Sequence, residues 1–141
     1  MYMQKLFFIV LSSLVLISCS SPPVFYNMTP KQLKTEENLY KSWTVNKGIQ
    51  EIQEQLSING ENCGPNFGIQ VNQFNSKKAI YQRTIAGFSD SATIFVMEFD
   101  ENKEGLTLIK AWSNDSIMFP KTFADKLIQA IHNPYKCDGS F

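Results

Sequence analysis

The nine residues SATIFVMEF (91–99) constrain the fold more than any other stretch of this chain. β-Branched and aromatic side chains dominate it, which favours an extended backbone. Alternate side chains of a strand point to opposite faces, so Ile94 and Val96 share one face while Phe95, Met97 and Phe99 share the other. Both faces are apolar. Such a strand belongs in the middle of a sheet that is covered on both sides, because a one-sided sheet leaves one set in water. The alternative carries a functional meaning. If helices cover only one face, then Phe95, Met97 and Phe99 (or Ile94 and Val96) line an exposed patch or cavity for an apolar ligand or a partner.

Period-two patterning surrounds this strand. FGIQVNQF (67–74) sets Phe67, Ile69 and Val71 against Gln70 and Asn72, and Asn75-Ser76-Lys77-Lys78 is turn-like. AIYQRTIA (79–86) is a second strand, 87–90 a turn, DENKEG (100–105) a polar hairpin loop and LTLIKAW (106–112) a fourth strand. Connections this short predict an antiparallel meander. NLYKSWTV (38–45) fits a further strand through Leu39, Trp43 and Val45, although Tyr40 and Trp43 also suit a helix.

Two helices frame the strands. Val45, Ile49, Ile52 and Leu56 recur at helical spacing, which predicts a helix over about 47–57 with Asn46 as its N-cap and Asn59-Gly60 as its stop. Pro120 opens another over about 120–132, with Phe123, Leu127, Ile128 and Ile131 as its apolar stripe and Asn133-Pro134 beyond its end. Thr29-Pro30 can cap a short helix over 31–40. The pattern is α+β: an antiparallel four- or five-stranded meander flanked by an N-terminal and a C-terminal helix, a two-layer sandwich.

The first residues follow a different logic. MYMQKLFFIVLSSLVLIS carries a single charge, Lys5, and the twelve residues from Leu6 to Ile17 have only Ser12 and Ser13 as polar members. A membrane-spanning helix needs about 20 apolar residues, whereas a stretch of about 10–14 fits the apolar core of a signal peptide. The segment ends in Leu16-Ile17-Ser18-Cys19, which resembles the lipobox of bacterial lipoproteins: an aliphatic residue, a tolerant position, a small residue, then cysteine. The resemblance implies that residues 1–18 are removed and that the Cys19 thiol carries a diacylglyceryl group, with a further acyl chain such as palmitate on the new N-terminus. One acyl chain anchors only reversibly, at about 0.8 kcal/mol per buried methylene, whereas two or three make release negligible. Ser20 follows the cysteine with no Asp nearby, which by analogy to Gram-negative sorting favours the outer membrane, facing the periplasm. Residues 19–37, with three prolines, are expected to form the lipidated N-terminus and tether, and 38–141 the globular domain.

Without residues 1–18, which hold one lysine, 123 residues remain with 12 basic and 13 acidic side chains, enough for one domain with a single core. No basic patch or run of like charge is present, so nucleic acid is not an expected partner. Once Cys19 is lipidated, Cys63 and Cys137 are left over, and an exported protein meets oxidising conditions, so the two are expected to form one disulfide. Cys63-Gly64-Pro65 resembles the start of a thioredoxin-type CGPC, but residue 66 is Asn and the second cysteine is missing.

Little else points to chemistry. His132 is the sole histidine and falls near a predicted helix C-terminus, where the helix dipole favours a cation. Asp100, Asn102, Glu104 and Gly105 have a faintly calcium-like spacing, yet Ala111 stands where an EF-hand needs its terminal Glu. There is no G-x-S-x-G elbow, glycine-rich phosphate loop or zinc-spaced Cys/His set. No cofactor, metal or enzymatic activity is therefore expected. The domain also loosely resembles small proteobacterial lipoproteins with a helix–meander–helix body and a cysteine after each helix, a group with no common activity. The expectation is a non-catalytic lipoprotein, held to the membrane through Cys19, that acts as an accessory or adaptor for a protein partner in an envelope assembly. A module binding lipid or another apolar ligand through Phe95, Met97 and Phe99 is the alternative.

Overall fold

The computed structural model of the protein describes residues 29–64, 67–86, 91–113 and 120–137. In chain order they form α1 (Pro30–Leu33), β1 (Leu39–Val45), α2 (Ile49–Cys63), β2 (Gln70–Asn72), β3 (Asn75–Ala86), β4 (Ser91–Glu101), β5 (Thr107–Ser113) and α3 (Pro120–His132). The strands make one antiparallel sheet in the order β1-β5-β4-β3-β2. β2 to β5 are the expected meander, and 38–45 resolves in favour of the strand, which adds as β1 beside β5. The fold is α+β with a five-stranded sheet and flanking helices.

Register explains the two-faced pattern of 91–99. One row across the sheet runs Val71, Ala79, Phe99, Ile109 and Trp43, and the next pairs Tyr81, Met97 and Ala111. These rows face α2 and α3, and with Ile49, Ile52, Leu56, Phe123, Leu127 and Ile131 they form the main core. On the opposite face Val96 pairs with Trp112, and both pack with Leu33 of α1. β4 is thus the middle strand and is covered on both sides. A bulge between Arg83 and Thr84 inserts one extra residue of β4. It re-aims Ile94 into the main core beside Phe95, so Ile94 and Val96 do not share a face.

Several boundaries differ from the sequence reading. α1 ends at Leu33, four residues long instead of the expected 31–40. It is held by a reciprocal box in which Thr29 and Gln32 bond each other's backbone and side chain. Leu33 is fully buried and packs with Val96 and Trp112.

α2 starts at Ile49 with Gly48 as its cap residue, not Asn46. The Glu101 carboxylate at the end of β4 does the capping, accepting the Ile49 N–H at 2.9 Å. A Cβ at position 48 would come within 3.1 Å of Glu101 Oε2, so the carboxylate's approach favours glycine there. At its other end α2 runs through Asn59-Gly60 to Cys63. Asn59 is buried, and its Nδ2 donates to the Pro134 carbonyl at 2.9 Å, a tertiary bond that outweighs the local stop signal. Gly64, at a φ of 101°, ends the helix instead.

Lys77 and Lys78 are strand residues, not part of a turn. Lys78 pairs with Asp100 in the β3–β4 ladder and its Nζ meets Asp100 Oδ2 at 2.8 Å, while Lys77 Nζ meets Glu101 Oε1 at 3.5 Å. The β2–β3 turn is displaced to Gln73-Phe74. The β4–β5 loop is likewise shorter than DENKEG, because β4 continues to Glu101 and Asn102 Oδ1 accepts the N–H groups of Glu104 and Leu106.

Cys63 and Cys137 form a disulfide with Cα atoms 5.2 Å apart, joining the end of α2 to the chain that follows α3. With a sequence separation of 74 between the partners, the chain-entropy model gives a stabilisation of about 4 kcal/mol. Cys63→Ser is expected to lower the stability of the oxidised protein by that order, read as a lower melting temperature. Cys137→Ser should match it, and the double variant should add nothing. An unchanged melting temperature would refute this staple. Glu101→Ala removes the α2 cap and the Lys77 pair. We expect a loss of about 1 kcal/mol, or about 4–8 °C in Tm for a domain of this size.

Candidate functional site

The residues singled out from sequence meet different fates. Cys19 lies outside the described residues. Cys63 and Cys137 are joined. Phe95, Met97 and Phe99 are 1%, 0% and 1% exposed, so they form no exposed patch and fill the core beneath α2 and α3. The reason is that α1 supplies the missing cover on the far face, which leaves the helix layer free to bury this one. His132 is the last residue of α3 and is exposed, and Asp100 of the calcium-like stretch is paired with Lys78. Among the described residues no group of three or more His, Cys, Asp or Glu side chains is placed to hold a metal ion. None of their helices is long and apolar enough to cross a membrane.

Two surface features at opposite edges of the sheet remain. The first is β1, the last strand on its side among the described residues. Its bulge at Tyr40 turns that side chain toward α3, where the Tyr40 hydroxyl donates to Asp125 Oδ2 at 2.9 Å. Lys41 Nζ reaches Asp125 Oδ1 at 3.4 Å and lies 5.2 Å from the centre of the half-buried Trp43 ring, while Tyr40 and Trp43 meet edge to face. Ser42 and Thr44 stand exposed on the other face of the strand. The strand's single charge is thereby drawn toward the helix layer, and the edge itself carries small uncharged side chains. The Tyr40 hydroxyl titrates above its ordinary value, first because of its bond to Asp125, then through partial burial and the carboxylate's charge.

The second feature is the β2–β3 turn. Phe74 is 97% exposed at its tip, the most exposed large apolar side chain among the described residues. The turn is well defined. Asn72 Oδ1 accepts the N–H groups of Phe74 and Asn75 at 2.8 and 3.1 Å, and Asn75 Oδ1 accepts that of Lys77 at 3.0 Å. Beside it lies an open depression of about 450 Å³ lined by Gln70, Asn72, Phe74, Lys78, Glu98 and Asp100. The Lys78 ammonium holds its proton more tightly than usual, chiefly through its bond to Asp100 and then through that carboxylate's charge. Glu98 also takes an ion pair from Lys34, just past α1. The depression and α1 are therefore neighbours on the face that the large helices leave open.

A third concavity, at the N-terminus of α2, gathers Glu51, Glu54, Lys77 and Glu101. Three of these four groups are engaged locally: Lys47 pairs with Glu51, and Lys77 and the Ile49 N–H engage Glu101. Compared with models of known protein families and with curated proteins, the sequence matches none.

An aromatic group sets an alkaline limit on the core. Tyr81 is stacked on Phe123 and edge-on to Phe95. Burial raises its pKa above 10.0, and the charge of Arg83 only partly offsets this. A raised folded-state pKa means that the stability held by the neutral phenol is complete below 10.0 and lost as pH climbs through the raised value. Tyr81→Phe should be less sensitive than wild type to pH above 10.0, read from denaturant midpoints at successive pH values. Parallel curves for the two proteins would count against this.

Proposed function

We propose that this chain is a lipid-anchored lipoprotein whose domain faces the periplasm and serves as a non-catalytic accessory or adaptor in a cell-envelope assembly. The lipobox at 16–19 and the apolar segment before it support the anchor, and Ser20 supports the outer membrane. The Cys63–Cys137 bond supports an oxidising compartment, where such bridges persist.

The observation that carries the adaptor role is the β1 edge. Among the described residues a seven-residue strand ends the sheet, and its exposed Ser42 and Thr44 offer no charge against an incoming strand. Natural edges are usually blunted by a lysine, a proline or a covering element. Here the lysine is held back at Asp125. Backbone hydrogen bonds along such an edge supply affinity, and the adjoining Tyr40 and Trp43 are of the type enriched at protein interfaces. The apolar-ligand reading lacks comparable support, because Phe95, Met97 and Phe99 are enclosed in the core.

The test is capture of a partner after mild crosslinking and detergent extraction of membranes. The wild-type chain should retain a stable protein partner, and the double variant Ser42→Lys, Thr44→Lys should lose about tenfold or more of it, corresponding to about 1.4 kcal/mol of binding. Recovery of only lipid and general membrane contaminants, or equal capture by the variant, would overturn the adaptor reading. Anchoring is tested separately. Cys19→Ala should stay unprocessed or become soluble and take up no radioactive palmitate, whereas persistent labelling of that variant would refute lipidation at Cys19.

A further inference from the structure

We infer that Phe74 is a membrane-contacting finger that inserts among the headgroups of the bilayer holding the acyl chains on Cys19, an inference that rests on the lipoprotein reading. Three observations lead there. The first is reach. Nine residues, 20–28, separate Cys19 from the first described residue, and at about 3.3–3.6 Å per residue the ten steps from Cys19 to Thr29 span at most about 36 Å. A domain of this size has a radius of gyration of about 13 Å, so its surface is never far from the anchor. The second is direction. The described chain enters the domain through α1, which lies on the face of β4 opposite α2 and α3. Lys34, next after α1, pairs with Glu98, and Glu98 lines the depression beside Phe74. The tether therefore arrives on the side of the sheet that carries the finger.

The third observation is the chemistry of the tip. Phe74 projects from the turn at the rim of the depression, 97% exposed, with exposed polar neighbours at Gln73, Asn75 and Ser76. Protein hot spots sit instead inside a packed ring of other contacts. A lone projecting aromatic suits a fluid surface that closes around it, and aromatic rings concentrate at the headgroup level of membranes. The Asn72 and Asn75 side chains fix the turn, so little order is lost on insertion. Lys77 and Lys78 are paired with Glu101 and Asp100, so the tip carries no surplus positive charge. Its contact with lipid is accordingly apolar and does not depend on anionic headgroups.

The experiment uses the full-length lipidated chain reconstituted into phosphatidylcholine vesicles, with Gln73→Cys labelled by an environment-sensitive NBD group. The native cysteines are acylated or bridged, so the label is confined to the new thiol. We expect blue-shifted emission that lipids with doxyl groups near the headgroup quench. The quenching should be lost when Phe74→Ser is added. It should be unchanged when salt is raised from about 0.1 M to about 1 M, which shortens the Debye length from about 10 Å to about 3 Å. The same label at Gln53→Cys, on the outer side of α2, should stay unquenched. Equal, water-like emission at positions 73 and 53 on vesicle-bound protein would overturn the finger while leaving the anchor intact. A label at 73 that is shielded only when an envelope protein fraction is added would overturn it in favour of a protein contact. Mass spectrometry showing no acyl group on Cys19 would remove the premise and the inference together.

Discussion

β4 carries apolar side chains to both faces of the sheet, and each face needs its own cover. On one side α2 and α3 enclose Phe95, Met97 and Phe99; on the other Leu33 and Trp112 enclose Val96. Burying a side chain of this size is worth about 1.5–3 kcal/mol, so neither face can be left wet in a domain whose net stability is only about 5–15 kcal/mol. The larger cover is self-evident, since two amphipathic helices are built for it. The smaller one is a helix of four residues, far below the length that is stable alone. It persists because Leu33 is locked in the second core, Lys34 is paired with Glu98, and the Thr29–Gln32 box closes its first turn.

The helix layer is fixed to the sheet at both ends of α2, by different chemistry. At the start, Glu101 places a full negative charge where the helix dipole is positive and its N–H groups lack partners. Because Glu101 is the last residue of β4, the central strand itself caps the helix that covers it. At the finish, the disulfide and the Asn59–Pro134 bond tie α2 to the chain leaving α3. Asn59 also lies 3.5 Å from Cys63 Sγ, so one buried amide supports both the helix–tail contact and the bridge. Either link alone would hold only one end of α2. Together they set its angle over the sheet.

Periodicity made most of this architecture legible. The 91–99 strand was recognisable as central, the meander followed from its short connections, and the α3 stripe gave that helix its observed bounds. What local pattern missed was decided by contacts across the fold. Asn59-Gly60 is a stop signal on its own, yet α2 passes through it because Asn59 has a distant acceptor in Pro134. Lys77 and Lys78 resemble turn residues until β4 brings Glu101 and Asp100 opposite them. Alternation alone put Phe74 at the end of a strand, although the asparagines at 72 and 75 that bracket it were the available sign of a turn. Of the candidate residues, Cys63 and Cys137 were legible because only these two thiols remain beyond the apolar segment that ends at Cys19. The two-faced apolar pattern of β4 left open which element covers the second face, because nothing local in Leu33 announces that it will do so.

Placement of the two surface features gives the proposed function a geometry. β1 and β2 close opposite edges of the sheet, with β5, β4 and β3 between them. Neighbouring strands lie about 4.8 Å apart, so the two edges are separated by about 19 Å, the breadth of the whole sheet. On the proposed reading, a finger beside β2 that dips into the bilayer turns the β1 edge away from it. The edge is then presented to the periplasm in one orientation, where a tether alone would let it tumble. A flexible tether already raises the effective concentration of domain and partner on a shared membrane. Fixing the rotation as well lowers the orientational cost of docking a narrow strand edge, which has only one productive approach. An apolar finger at one edge and an unblunted strand at the other are then parts of a single arrangement, and α1 is the element that makes it possible. On that reading it brings the end of the chain that leads to the anchor onto the face of the sheet opposite α2 and α3, beside the finger, while completing the second core.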